Sequence, residues 1–125
     1  MLKHVSFVTA NADAVRAFYT GLGAEVRKDV VTPEGFRRLV LAFEGGGKLQ
    51  FFEQPGASPQ RKVLHPWMEH VALHLPDLTA RLEELRARGV TFSRELTLGP
   101  GGTPMAFVLD PDGRQVELLE LERKV

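Results

Sequence analysis

The amino-acid sequence predicts an α+β protein of two βαβββ modules, related by a pseudo-twofold axis and forming a curved sheet around a central cleft. The first observation behind this prediction is an internal repeat: His4 falls on His70, and Gly23 on Gly89, when the chain is shifted by 66 residues (70 − 4). The second is the order of patterns in each half, where an alternating strand precedes a helix and further strands follow. The third is the turn-rich stretch 55–66, which reads as a linker between the halves.

The first module, residues 1–54, is predicted to open with a strand in which Val5, Phe7 and Thr9 lie on one face. Asn11 is suited to cap a helix that continues to Tyr19, because its side-chain oxygen can accept from a free backbone N–H of the first turn. Strands are predicted over residues 26–31, 36–43 and 48–53.

The second module, residues 67–125, repeats this plan. After a strand at residues 71–75, Asp77 is predicted to cap a helix, and Gly89 stands where a helix C-terminal glycine belongs. Strands are expected to begin at residue 90 and to cover 105–109 and 116–121, and Asp110-Pro111-Asp112-Gly113 predicts the hairpin turn between the last two. The two modules are interpreted as one domain, residues 1–125.

Composition restricts the function. With 125 residues, 43% hydrophobic and 26% charged, the chain is long enough for one domain with a core. Sixteen basic and sixteen acidic residues give zero net charge, which argues against a nucleic-acid or membrane-surface role. Cysteine is absent, so thiolate chemistry is excluded. Neither a membrane-spanning run nor a cleaved signal peptide is recognised, and a cytoplasmic location is expected.

Four ligand-type side chains fall at matched positions of the repeat. The spacing from His4 to Gln50 is 46 residues (50 − 4), and that from His70 to Glu117 is 47 (117 − 70). Two imidazoles, one carboxylate and one amide oxygen suit a divalent metal ion, and Ni, Co, Mn, Zn and Fe all remain open. Taken singly, each residue has an ordinary structural explanation, such as a hydrogen bond to neighbouring backbone. The repeat makes one shared metal site the better hypothesis.

The chain resembles the vicinal oxygen chelate superfamily, which includes glyoxalase I, methylmalonyl-CoA epimerase, bleomycin-binding proteins, fosfomycin resistance proteins and extradiol dioxygenases. The resemblance covers nearly the whole chain. It rests on the segments Lys3-His4-Val5, Leu49-Gln50-Phe51-Phe52-Glu53, Glu69-His70-Val71-Ala72-Leu73, Ala106 to Gly113 and Val116-Glu117-Leu118-Leu119. A glutamine at position 50 is similar to the ligand set of the epimerases.

The resemblance implies a metal-dependent lyase or isomerase of the glyoxalase type, with proton transfer next to a metal-bound carbonyl through an enolate or enediolate. The metal ligands would be His4, Gln50, His70 and Glu117, and Glu117 would also be the catalytic base. The substrate would be a small molecule, and the protein a homodimer. Three further residues are predicted to contact substrate: His74, Phe52 and Arg38.

Other functions of the same superfamily remain open. A small-molecule or drug-binding protein of the bleomycin-resistance kind would need no catalysis. An Fe(II) extradiol dioxygenase would use His4, His70 and Glu117 as a facial triad, with Gln50 off the metal. A thiol transferase of the fosfomycin type would need the same three residues.

Overall fold

The computed structural model describes residues 1–57, 65 and 67–121, and the chain divides into two compact units, Met1–Gln60 and Arg61–Val125. The first unit contains β1 (Val5–Thr9), α1 (Ala12–Thr20), β2 (Glu25–Val31), β3 (Arg37–Ala42) and β4 (Lys48–Glu53). The second contains β5 (Val71–Leu75), α2 (Leu78–Ala87), β6 (Phe92–Leu98), a short 3₁₀ turn (Pro100–Gly102), β7 (Pro104–Leu109) and β8 (Gln115–Glu120). The predicted α+β class and the repeated βαβββ order are confirmed. Most of the predicted linker, residues 58–64 and 66, lies outside the described residues.

Each unit forms one mixed four-stranded sheet with the same strand order. The order is β1-β4-β3-β2 in the first unit and β5-β8-β7-β6 in the second. The first and last strands of each unit are parallel neighbours, and all other pairs are antiparallel. Ser6 therefore lies beside Gln50 in the first unit, and Ala72 lies beside Glu117 in the second. More than forty positions separate the two members of each pair in sequence (50 − 6 and 117 − 72).

The core of the first unit lies between α1 and one face of its sheet. Asn11 caps the helix as predicted, since its Oδ1 accepts from the N–H of Ala14 at 3.0 Å. Val15 and Tyr19 on the helix are fully buried, and the ring of Tyr19 lies 5.4 Å from that of Phe51 on β4. Because side chains alternate along a strand, burying Phe51 turns its neighbour Gln50 to the opposite face.

The core of the second unit repeats this arrangement with aliphatic side chains. α2 packs against β8 and buries Leu78, Leu82 and Leu85. Gly89 follows the helix with φ = +79°, the left-handed conformation predicted for a C-terminal glycine. Asp77 holds the N-cap position as predicted, but it is left-handed at φ = +53° and its side chain makes no capping hydrogen bond. Among the described residues, neither helix of the chain has the length and apolar character needed to cross a bilayer.

Candidate metal-binding residues

In the first unit, His4 and Gln50 lie next to each other on the sheet face opposite the helix. The parallel pairing of β1 with β4 places Ser6 directly opposite Gln50. His4 lies two residues before Ser6 and therefore on the same face. The Nε2 atoms of His4 and Gln50 are 3.4 Å apart. Gln50 is buried, so its polar atoms require partners within the protein.

The amide of Gln50 is held in one orientation by Arg38 on β3. The Nε of Arg38 donates to Oε1 of Gln50 at 2.7 Å, and Nε2 of Gln50 donates to the hydroxyl of Ser6 at 3.1 Å. A guanidinium has only donors, so the amide atom facing it is the oxygen. The nitrogen of Gln50 consequently faces His4.

In the second unit, His70 and Glu117 form the matching pair. β5 and β8 are parallel with Ala72 opposite Glu117, and Nε2 of His70 lies 3.2 Å from Oε1 of Glu117. The Glu117 side chain is 9% exposed and that of His70 is 21% exposed. The His70 ring also packs edge-on against Phe107, with centroids 5.3 Å apart. This contact and the carboxylate together fix the orientation of the imidazole.

The geometry of these pairs tests whether they suit a divalent ion. Metal–nitrogen and metal–oxygen bonds of about 2.0–2.2 Å place neighbouring ligand atoms about 3 Å apart. The 3.2 Å between Nε2 of His70 and Oε1 of Glu117 is a hydrogen-bonding distance that also agrees with this separation, and both atoms are suitable ligands. His4 also offers a ring nitrogen, whereas Gln50 offers an oxygen ligand only after its amide turns over.

The four predicted ligands thus occur as two pairs, one in each unit. In the part of the chain that the structure describes, no group of three or more His, Cys, Asp or Glu side chains is placed so that it could hold a metal ion. The assignment of all four residues to one ion remains a proposal.

The residues predicted to contact substrate lie on the same sheet faces as these pairs. Arg38 is half-buried, and Phe52 stands directly opposite it across the β3–β4 ladder. His74 on β5 is exposed and shares the face of Glu117, because it stands opposite Leu119. Their positions are compatible with substrate contact, which stays a prediction.

Sequence reasoning missed Trp67, which joins the face that carries Glu117. Its ring packs edge-on against Phe107 at 5.6 Å, and the guanidinium of Arg94 lies 5.5 Å from its centroid. Phe107 is opposite Glu117 in the β7–β8 ladder. The signal was available, since Trp67 is the single tryptophan of the chain and lies three residues before His70.

Comparison with known proteins agrees with this architecture. Residues 1–118 match the family model described as the glyoxalase/bleomycin resistance protein/dioxygenase superfamily. The chain is 43% identical to a lactoylglutathione lyase of Haemophilus influenzae over 133 aligned positions, which cover 95% of this chain and 91% of that protein. It is 30% identical to a probable lactoylglutathione lyase of a Synechocystis species, covering 98% and 97% of the two chains.

A solved structure gives the same result for the fold. The glyoxalase family protein from Enterococcus faecalis superposes with a TM-score of 0.72 at 28% identity, covering 96% of this chain and 97% of that one. The resemblance inferred from the sequence motifs is therefore confirmed. The chain belongs to the glyoxalase/bleomycin resistance protein/dioxygenase superfamily, which is the vicinal oxygen chelate superfamily.

Proposed function

We propose that this protein is a divalent-metal-dependent lyase or isomerase of the glyoxalase type, which moves a proton between two adjacent carbons of a small substrate. The observation that carries the proposal is the His70–Glu117 pair, an imidazole nitrogen and a carboxylate oxygen 3.2 Å apart at the separation expected of neighbouring metal ligands. The relatives named lactoylglutathione lyase support the same reaction class.

Four residues of the two pairs would hold the ion: His4, Gln50, His70 and Glu117. Mn, Fe, Co, Ni and Zn all accept imidazole and oxygen ligands. The bound ion would supply Lewis-acid polarisation of a substrate carbonyl oxygen. His4 and His70 would contribute neutral nitrogen ligands, and Glu117 would be the one anionic ligand of the set.

Glu117 would also transfer the proton. A carboxylate has two oxygens, so one can remain a ligand while the other accepts a proton from the carbon next to the carbonyl and returns it to the neighbouring carbon. The burial of Glu117 keeps bulk water from competing for that proton. No oxidant or reductant is consumed, because substrate and product are isomers that differ only in the positions of protons.

The name of the relatives suggests the substrate class. S-Lactoylglutathione is the thioester of a 2-hydroxy acid, and it is an isomer of the hemithioacetal that glutathione forms with methylglyoxal. Converting one into the other requires one proton to move between adjacent carbons, which is the step assigned to Glu117, and the hydroxyl proton to move from one oxygen to the other. We therefore propose a 2-oxoaldehyde–thiol hemithioacetal as substrate.

The test combines metal analysis with turnover. Purified protein is loaded separately with Mn, Fe, Co, Ni and Zn, its metal content is measured, and thioester formation from glutathione and methylglyoxal is followed. One ion per chain and thioester formation are expected, both lost in Glu117→Ala. Leu119→Ala, two residues further on the same strand face, is the matched control and should retain both. Turnover that survives Glu117→Ala would exclude the proposal.

One observation favours a second candidate, a thiol transferase of the fosfomycin type. Arg38 holds the oxygen of Gln50, so Gln50 would stay off the metal, and His4, His70 and Glu117 would be the three ligands that this type of enzyme needs. Mn-loaded protein that opens an epoxide-bearing phosphonate with a thiol, and that leaves methylglyoxal and glutathione unchanged, would establish this alternative.

A further inference from the structure

We propose that Arg38 competes with the metal ion for the amide oxygen of Gln50, and so sets the affinity of the protein for its metal. The inference rests on the proposed metal-dependent function and deepens it. It assigns Arg38 a positioning role through Gln50, in place of the direct substrate contact predicted from the sequence.

The competition follows from the hydrogen-bonding capacity of the groups involved. Oε1 of Gln50 accepts from Nε of Arg38 at 2.7 Å, while Nε2 points to Ser6 and His4. To ligate a metal ion beside His4, the amide must turn over and bring its oxygen to that side. Its NH₂ group would then face the guanidinium, and two donors would oppose each other.

The other neighbours of the amide tolerate either orientation. The hydroxyl of Ser6 can donate as well as accept, so it can pair with the oxygen or with the nitrogen of Gln50. The imidazole of His4 would share the metal with the oxygen. Among these three described neighbours, Arg38 alone has no acceptor to offer, so Arg38 decides which way the amide points.

The strand register places Arg38, and not the neighbouring Arg37, within reach of Gln50. Arg38 stands opposite Phe52, one alternation from the Val40–Gln50 pair, so its side chain reaches Gln50 diagonally on the same face. Arg37 points to the opposite face, where it binds Asp13 and Asp29. Arg37 therefore cannot replace Arg38 at the amide.

The experiment measures metal affinity by calorimetry, using Mn²⁺ and Zn²⁺ as probes on the full chain. Arg38→Met removes the donor, and we expect it to bind the ion about 10- to 100-fold more tightly, as befits the loss of one charge-assisted hydrogen bond. Arg38→Gln offers the turned amide an acceptor and should also bind more tightly. Arg38→Gln serves as the second variant if the Arg38→Met protein folds poorly.

Two controls separate this effect from the loss of a positive charge. Lys28 lies on the same sheet face, because it pairs with Val40, which in turn pairs with Gln50. Lys28→Met removes this cation and should change the metal affinity by less than about threefold. Gln50→Leu is then combined with Arg38→Met in a double-mutant cycle. The gain in affinity should disappear in the double variant, because the amide oxygen is then missing.

The outcomes distinguish this inference from the function on which it rests. Unchanged affinity in both Arg38 variants, or a gain that persists without Gln50, would overturn the role of Arg38 while the metal site stands. A wild-type protein that binds weakly and an Arg38→Met variant that binds stoichiometrically would support both. Absence of metal from all variants would overturn both.

Discussion

The carboxylate of Glu53, at the end of β4, accepts a hydrogen bond of 2.7 Å from the backbone N–H of Ala12, the first residue of α1. The repeat-related Glu120, at the end of β8, accepts from the N–H of Leu78, the first residue of α2, at 2.8 Å. The first N–H groups of a helix lack partners within it, and the positive end of the helix dipole favours an anion there. In each unit the last strand is thus fastened to the start of the helix.

Removing either carboxylate should destabilise its unit. Glu53→Ala and Glu120→Ala are each expected to lower the free energy of unfolding by about 1–2 kcal/mol, because a helix-terminal donor loses its partner. Urea denaturation followed by circular dichroism measures the change. Glu44→Ala, at an exposed turn position, is the control and should stay within about 0.5 kcal/mol. An equal loss in the control would contradict the role of these bonds.

Asp29 should make stability depend on acid pH. Hydrogen bonds from Arg37, with Arg16 also in contact, lower the pKa of its carboxyl from 3.8 to about 2 despite partial burial. Because the folded-state pKa is depressed, the contribution is complete above about pH 4 and is lost as the pH falls towards 2. At pH 7, Asp29→Asn should cost about 1–2 kcal/mol, allowing for solvent screening.

The measurement is urea denaturation of wild type and Asp29→Asn between pH 2 and pH 7. The two curves of unfolding free energy against pH should converge as the pH approaches 2. Asp13→Asn, whose carboxylate also contacts Arg37 but is 83% exposed, should be nearly neutral at every pH. A constant gap between wild type and Asp29→Asn would show that the loss at this position is not electrostatic.

The turn between β7 and β8 depends on Asp110. Its Oδ1 accepts from the N–H groups of Asp112 and Arg114, both at 2.9 Å, and its Oδ2 accepts from the guanidinium of Arg114 at 2.6 Å. Asp110→Ala should cost about 3 kcal/mol or more, because it removes these bonds and leaves a buried guanidinium without that carboxylate. Pro111→Ala, at an exposed position of the same turn, should cost under about 1 kcal/mol by urea denaturation.

Glu117→Gln should separate the two roles proposed for that residue. An amide oxygen can still be a metal ligand, but it cannot accept the substrate proton at neutral pH. We expect the variant to bind one ion per chain with weakened affinity, and its kcat for thioester formation to fall at least about 100-fold. Metal analysis and initial rates on the same preparations test this. Near-normal kcat in the metal-loaded variant would show that a residue other than Glu117 transfers the proton.

The sequence pattern was sufficient for the order of the elements, and the repeat singled out four candidate ligands whose assignment to one ion stays a prediction. The repeat placed His4 and His70 at matched positions, and Gln50 and Glu117 likewise, and the structure finds each histidine adjacent to the second residue of its own half. This worked because the alternation of a strand is local and the repeat supplied the correspondence between the halves. The cap at Asn11 was predicted for the same reason, since its partner lies three residues away.

The contacts that sequence reasoning missed depend on the register between strands. Arg38 reaches Gln50 only because β3 and β4 pair with Arg38 opposite Phe52, and nothing in the local pattern specifies that register. The bond from Leu78 to Glu120 was likewise hidden, because 42 residues separate the helix start from the carboxylate that serves it. Asp77, which directly precedes the helix, was predicted to cap it, but its side chain makes no capping hydrogen bond.

The adjacency of first and last strands also has a consequence for the order in which the chain folds. Within the described residues, β1 is joined to its sheet through β4 alone, and β5 through β8 alone. A nascent or truncated chain that ends before β4 has no place in the sheet for β1, and bringing the two together carries the entropy cost of closing a long loop. The His4–Gln50 and His70–Glu117 contacts can therefore form only once the last strand of each unit is in place, and a chain that ends before that strand lacks them.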